Sequence, residues 1–388
     1  MRSLEKFRPQ QLANNDVRSE SLMGQRASGR RRVLLCGYYG EHNLGDDALL
    51  DVLLRQLPDD CELSITAHDP TPVLQRAPSA RLVPRRSLLA ALRALEQTDV
   101  LVFGGGSLLQ DSTSFKSLLY YLALLLIARA RGLTVVLWGQ GLGPLRRRRS
   151  RWLVRRCLAC ASRISWRDPA SLALAQRWRI PVPMVMGPDP VWCHPGSPRY
   201  GDGPIVLCWR PTPLLDPQGW RRLGQALDQL MASQPDASLL WLAFHAEQDG
   251  PLLGGLSDQG LLPARLQAIS TTAVARSLPD VLDRFARSRL VIPMRLHALV
   301  LAQLAGAPCA ALSYDPKVAA AAAMAAVPCH ELSDLPATEV IAACWQQQIG
   351  QVPDPERLAR IRQDAGVHQA TLNAVWSADG SGPCAANS

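Results

Sequence analysis

Val291-Ile292-Pro293-Met294-Arg295-Leu296-His297, followed by Ala298-Leu299-Val300-Leu301-Ala302, reads as a buried strand that exits through an arginine and a histidine into a helix. The next apolar run, Cys309-Ala310-Ala311-Leu312-Ser313, repeats the pattern, and Tyr314-Asp315-Pro316-Lys317 stands at its exit. Strand, short loop, helix, strand is the βα repeat of a mainly parallel sheet. In open α/β sheets ligands sit in the crevice beyond the carboxyl ends of the strands, and Arg295, His297 and Lys317 all fall there. A histidine that exchanges a proton near neutral pH, flanked by two fixed cations, suits a small multiply charged anion undergoing acid–base chemistry. A satisfied core histidine with two surface cations is the plainer reading, but it does not explain why all three stand at strand exits.

The alternation extends in both directions. Val33-Leu-Leu-Cys, Leu63-Ser-Ile-Thr, Val100-Leu-Val-Phe, Val135-Val-Leu-Trp and Ile164-Ser-Trp are strands of a first half, with helices over about 46–56, 88–95 and 116–131. The turn-rich stretch His194-Pro-Gly-Ser-Pro-Arg-Tyr-Gly-Asp-Gly203 reads as a linker. A second set follows: strands Ile205-Val-Leu-Cys and Leu239-Leu-Trp-Leu-Ala-Phe, a helix near 219–231, then the two strands described above. The expected organisation is a disordered basic arm over 1–30, a Rossmann-like domain over 31–195 and a second over 203–350. A C-terminal helix over 351–376 and a tail over 377–388 complete it. The fold class is α/β, with two Rossmann-like domains facing a cleft, the arrangement called GT-B.

Charge and cysteine content narrow the partners. The 388 residues carry a formal net charge of +9, which favours acidic partners. Much of the excess lies in Arg26–Arg32 and in the run from Arg146 to Arg156. That run is either a solvated helix face or a contact for an anionic membrane surface or carrier. Nucleic acid does not fit, because no stacking aromatics are interleaved with the arginines. The ten cysteines fall mostly inside apolar elements and form no disulfide framework. Cys157 and Cys160 form a CxxC within a helical pattern, and no second pair at zinc-finger spacing supports a metal site. The N-terminus has no signal-peptide core, and the apolar stretch Leu118–Ile127 is too short to span ~30 Å of hydrocarbon. A cytoplasmic protein is expected.

Other strand exits add candidates. Arg167 and Arg210 can supply forked hydrogen bonds to carboxylate and phosphate oxygens. His245 and Asp249 follow the Leu-Trp-Leu-Ala-Phe strand, as proton donor and sugar ligand or as an ordinary polar loop. Asp189, in Gly187-Pro-Asp-Pro-Val, is a further acid candidate or a turn former. Gly104-Gly105-Gly106-Ser107 lets a backbone approach a ligand at a helix start, with Asp111 just beyond, but three glycines alone signal phosphate weakly. The loop Gly37–Asp47 carries Asp46 and Asp47 at its helix start, which would repel a phosphate; it fits neutral sugar hydroxyls or self-capping.

Taken in order, these stretches resemble the polysaccharide pyruvyl transferase family, closest to its CsaB type. They are Gly-Tyr-Tyr-Gly-x-x-Asn-Leu-Gly-Asp-Asp-Ala (37–48), Gly-Gly-Gly-Ser-Leu-Leu-Gln-Asp (104–111), Gly-Gln-Gly-Leu-Gly-Pro (139–144), Arg-Asp-x-x-Ser (167–171), Asp-Pro-Val (189–191), Met-Arg-Leu-His (294–297) and Ser-Tyr-Asp-Pro-Lys-Val (313–318). The resemblance implies a GT-B-like fold and transfer of the pyruvyl unit of phosphoenolpyruvate (PEP) to a sugar as a cyclic ketal. The acceptor it implies is commonly N-acetylmannosamine of a lipid-linked cell-wall polymer precursor. It associates Arg295, His297 and Lys317 with PEP, and Arg167 is the best match for a first-domain arginine. Arg210 is followed by Pro211-Thr212-Pro213, where more polar residues were expected.

The chemistry agrees with that assignment. PEP carries a carboxylate and a phosphate and needs converging cations. Protonating its methylene carbon leaves positive charge at C2, where a hydroxyl attacks; phosphate departs and a second hydroxyl closes the ketal. Acid, base and cations suffice, with no metal and no cofactor beyond PEP as co-substrate. The expected assignments are His297 with Asp249 or Asp189 for catalysis, and Arg295, His297, Lys317, Arg167 and Arg210 for PEP. Asn43, Asp46, Gly105, Ser107, Asp111, Gln140 and His245 are expected on the acceptor-sugar side. Peripheral membrane contact through Arg146–Arg156, at the inner face of the plasma membrane, and a homo-oligomer are further expectations. The rival readings are a GT-B nucleotide-sugar glycosyltransferase and a non-catalytic anion sensor or scaffold.

Overall fold

Among the described residues, thirteen strands form parallel sheets of seven, four and two, with the candidate site at their carboxyl ends. The computed structural model describes residues 30–112, 114–197 and 199–377; all of the basic arm except Arg30, and all of the tail except Ser377, lie outside them. In the first sheet β1 (Arg32–Cys36), β2 (Glu62–Ala67), β3 (Arg81–Pro84), β4 (Val100–Leu109), β5 (Thr134–Leu142), β6 (Arg163–Trp166) and β7 (Met184–Met186) lie in the order β3-β2-β1-β4-β5-β6-β7. The second sheet has β8 (Ile205–Cys208), β9 (Leu239–Ala243), β10 (Ser270–Val274) and β11 (Leu290–Pro293) in the order β10-β9-β8-β11. A parallel bridge from Val291 to Cys309 continues it into β12 (Ala311–Ser313) and β13 (Cys329–Glu331). Both halves therefore begin 3-2-1-4, the doubly wound order, with the switch point between the first and fourth strands.

Continuous apolar strands such as Val33-Leu34-Leu35-Cys36 form because helices cover both faces of the sheet. The edge strand β10 has an exposed, polar-to-mixed sequence that gives no apolar run, and it was not anticipated. The helix Leu44–Gln56 buries Leu49, Leu50 and Leu53 against the first sheet, and Asn43 caps it by accepting from the Gly45 N–H. The helices Leu88–Leu95, Phe115–Ala130 and Arg148–Leu158 pack in sequence as neighbours in the same layer. No helix among the described residues is long and apolar enough to cross a membrane.

Two local expectations are corrected. β4 does not stop at Phe103: it continues through the glycines and Ser107 to Leu109, and the next helix starts only at Phe115. Gly105 and Gly106 take positive φ (49° and 79°), which kinks the strand without turning it into a helix start. The single C-terminal helix is instead two, Pro355–Ala365 and Val367–Ser377, separated at Gly366. The second of these returns to the first half, where it packs on β5, β6 and β7, and buried His368 bonds through Nε2 to the Pro188 carbonyl at 2.7 Å.

The halves also meet directly. Asn43 and His245 form an antiparallel bridge, and the Leu44 N–H reaches the Phe244 carbonyl at 3.4 Å. This contact sets the start of the helix Leu44–Gln56 against the second half.

Candidate functional site

Two cations and an imidazole, from three strand exits and both halves of the chain, converge on two first-half acceptors. Arg167, directly after β6, reaches Asp189 through Nη1 at 2.9 Å and Ser107 through Nη2 at 3.2 Å. Lys317, in the first turn of the helix Pro316–Ala325, donates to the same Ser107 hydroxyl at 3.1 Å. His297 brings Nε2 to 3.5 Å from Asp189, too long for a good hydrogen bond. Nε2 of His297 and Nε of Arg167 are both buried without a hydrogen-bond partner. Both nitrogens lie beside Asp189, where a bound anion could engage them.

Small residues make room for this arrangement. A Cβ at Gly45 would collide with Nδ1 of His297, so the start of the helix Leu44–Gln56 lies directly against the imidazole. A Cβ at Gly141 would press on Ser107 (2.6 Å), Arg167 (3.3 Å) and Lys317 (3.4 Å). Gly45→Ala is therefore expected to displace the ring and lower turnover about a hundredfold, the order of loss seen when a reacting group moves by ~1 Å. Thermal melting should change little, because alanine is the better helix former. Steady-state rates beside a melting curve check this; unchanged turnover would separate the imidazole from the chemistry.

The carboxylates divide into two kinds. Burial alone would raise Asp189, but His297, Arg167 and the Val191 N–H outweigh it and hold this carboxyl well below the usual range. Asp46 differs. It sits in the first turn of the helix Leu44–Gln56, with Oδ2 accepting from Asn43 Nδ2 at 2.5 Å. Burial pushes it up to about 6, opposed by His297 and Arg167 and assisted by Asp47. The residue as a whole is half-buried. Lys317 is lowered by burial and by its neighbour Arg167.

Other expected site residues lie elsewhere. Arg295 is bound by two nitrogens to Asp249, at 2.7 and 2.5 Å, and the same carboxylate caps the His245 N–H at 3.0 Å. Arg295 and Asp249 thus form their own buried pair beside the cluster. Asp249 also lines a cleft of about 770 Å³ in the second half, with Trp209, Trp241, Thr272 and Arg276; the cation cluster does not line it. Arg210 bonds to the Tyr314 hydroxyl at 3.2 Å and lies over its ring.

Of the residues expected on the sugar side, Ser107 joins the cation cluster and Asp46 borders it. Gln140 is fully buried and donates to the carbonyls of Phe103 (3.3 Å) and Gly105 (3.0 Å), which holds the kinked glycine run. Asp111 accepts from the N–H groups of Arg146 (2.7 Å) and Arg147 (2.9 Å), tying β4 to the arginine-rich helix. Gln140 and Asp111 are therefore occupied by the scaffold. Motif reading missed the glycines at 45 and 141, whose small size marks close approaches, and it expected Ser107 on the sugar side, where its hydroxyl instead accepts from Arg167 and Lys317.

The fold is GT-B-like. Similar solved structures include a putative UDP-N-acetylglucosamine 2-epimerase from Listeria monocytogenes, at TM-score 0.62 and 12% identity, covering 92% of this chain and 98% of that one. The UDP-N-acetylglucosamine 2-epimerase of Neisseria meningitidis, bound to UDP-GlcNAc, gives 0.57 and 14% over 90% and 100%. Anabaena HepE in complex with UDP-glucose gives 0.57 and 12% over 89% and 99%. At such identities the likeness concerns the fold alone. No curated protein matches the sequence. The chain belongs to the polysaccharide pyruvyl transferase family, whose sequence profile matches residues 43–316.

Proposed function

We propose that this chain transfers the pyruvyl unit of PEP to two hydroxyls of a sugar, forming a cyclic ketal and releasing phosphate. The observation that carries this reading is the convergence of Arg167, His297 and Lys317 around Ser107 and Asp189, with two buried nitrogens unpartnered. A carboxylate and a phosphate on three carbons match that density of positive charge. Arg167 and Lys317 hold the phosphate and stabilise it as it leaves, and His297 binds PEP and takes the hydroxyl proton. Asp189 keeps Arg167 and the imidazole oriented.

Asp189 and Asp249, the two expected acids, are both engaged as acceptors of cations. Asp46 is the better proton donor, because burial raises its carboxyl to about 6, so that part of the population keeps its proton just below neutral pH, and its neighbours are His297 and Arg167. The proton passes from Asp46 to the methylene carbon of PEP, the first hydroxyl attacks C2, and the C–O bond to phosphate breaks. Closure by the second hydroxyl completes the ketal, and its proton leaves with phosphate. Arg295, fixed by Asp249, positions the start of the helix that carries His297, and Arg210 pairs with Tyr314. In this reading Asn43 and His245, at the meeting of the halves, belong to the acceptor side.

The acceptor we propose is an amino sugar of a lipid-linked cell-wall precursor, such as N-acetylmannosamine, met at the cytoplasmic face of the membrane. Incubating the protein with PEP and lipid-linked amino-sugar disaccharides, with mass spectrometry of the glycan and a phosphate assay, tests this. The expected result is the pyruvyl mass gain with stoichiometric phosphate. Release of nucleotide from UDP-sugars with PEP untouched would instead assign the site to glycosyl transfer. PEP bound but never consumed would make it a sensor.

A further inference from the structure

The three-helix layer over the first sheet has an unusual outer surface. A surface helix ordinarily buries one apolar stripe and turns polar residues to water. The helix Phe115–Ala130 carries charge only near its ends, at Lys116 and Arg129. Leu118, Leu122 and Leu125 are buried, yet Leu119, Ala123, Leu126 and Ala130 repeat at helical spacing on the opposite side. Leu119 is 41% and Leu126 47% exposed. On the neighbouring helix Arg148–Leu158, Trp152 is 60% exposed and lies amid Arg148, Arg149, Arg155 and Arg156, three or four residues away on either side. Leu89, at the start of the helix Leu88–Leu95, is 58% exposed.

Seven arginines and no acid stand between 146 and 156. A solvated helix face explains the arginines but not an exposed tryptophan among them beside an exposed leucine stripe. Basic side chains around a tryptophan, with leucines alongside, are the composition of elements that lie in the headgroup region of an anionic bilayer. Sign and number of charges also favour that occupant over a neutral apolar partner.

We propose that the face formed by Leu119, Leu126, Trp152 and the arginines of the helix Arg148–Leu158 docks on an anionic lipid bilayer. The aromatic ring and leucines enter the interface, and the guanidinium groups contact lipid phosphates. The basic helix begins a short loop after β5, and Asp111 holds the N–H groups of Arg146 and Arg147, just before its first turn, at the exit of β4. Docking therefore holds the strand exits that carry Ser107 close to the bilayer. On the ketal-transfer reading this presents a lipid-linked acceptor to the site; docking itself does not depend on that reading.

The test is co-sedimentation of the full chain with vesicles of phosphatidylglycerol and phosphatidylcholine, beside vesicles of phosphatidylcholine alone. Binding is expected only to the anionic vesicles, weakening as salt is added. R148A and R149A should each weaken it roughly fivefold, W152A should weaken it by several-fold, and R221A, on the exposed side of another helix, should not. These side chains are exposed, and circular dichroism confirms that the variants fold. Four outcomes overturn the proposal: no binding at low salt, equal binding to both vesicles, binding to nucleic acid in place of vesicles, or self-association that W152A abolishes.

Discussion

His297→Ala is expected to lose about a thousandfold in PEP-dependent phosphate release while melting close to the parent protein. The imidazole is enclosed on one side by Gly45 and approaches Asp189 on the other. Its removal takes away both a proton acceptor and one of the polar groups facing PEP. The fold survives because Asp189 keeps its 2.9 Å bond from Arg167 and its 3.0 Å bond from the Val191 N–H. No charge is left buried alone. Initial rates together with a thermal melt check both halves of the expectation, and a variant that turns over at the parent rate would remove His297 from the mechanism.

Asp46→Asn is expected to lose activity and gain stability together. As proton donor to carbon, Asp46 contributes a factor of about 10² to 10⁴, all of which asparagine forfeits. In the parent, kcat/KM should fall as pH rises through about 6. With PEP bound the limb in kcat should lie higher, because added negative charge favours the protonated carboxyl.

Stability moves the other way. The folded-state value lies above the ordinary 3.8, so the native state holds the proton more tightly than the unfolded chain. Stability is then greatest below 3.8, declines as pH rises to about 6, and is level beyond it. The full difference is on the order of 3 kcal/mol, less whatever its partial accessibility relieves. The asparagine variant lacks this slope, so above pH 6 it should melt roughly a few degrees higher. Melting curves across pH, read beside turnover, distinguish this from a merely structural role. An asparagine variant that retains turnover, or a parent rate indifferent to pH near 6, would end the assignment of Asp46 as donor.

Much of the fold was legible because both halves alternate fully buried apolar strands with helices whose apolar faces repeat at helical spacing. Val33–Cys36, Ile205–Cys208 and Val291–Pro293 need no partner to be recognised. β10 was not, since an edge strand with one wet face carries no apolar run. The extension of β4 to Leu109 was hidden because glycines break the pattern that identifies a strand. Within the site, the cations could be read from their places after strand ends. What each carboxylate does could not. Asp46 and Asp189 are equivalent letters in the sequence, and only burial and neighbours separate a proton-holding group from an ion-pair acceptor. Asp111 and Gln140 are similarly ambiguous until their hydrogen bonds to the Arg146 N–H and the Gly105 carbonyl are seen.

The return of the helix Val367–Ser377 to β5, β6 and β7 means that the polypeptide passes between the lobes twice, once through residues 194–203 and once after the second lobe is complete. Two crossings, together with the contact of the helix Leu44–Gln56 on the helix Leu296–Leu304, fasten the lobes at more than one point. Ser107 and Arg167 on one lobe and His297 and Lys317 on the other thus keep their mutual registration through the scaffold, without a single joint having to hold them.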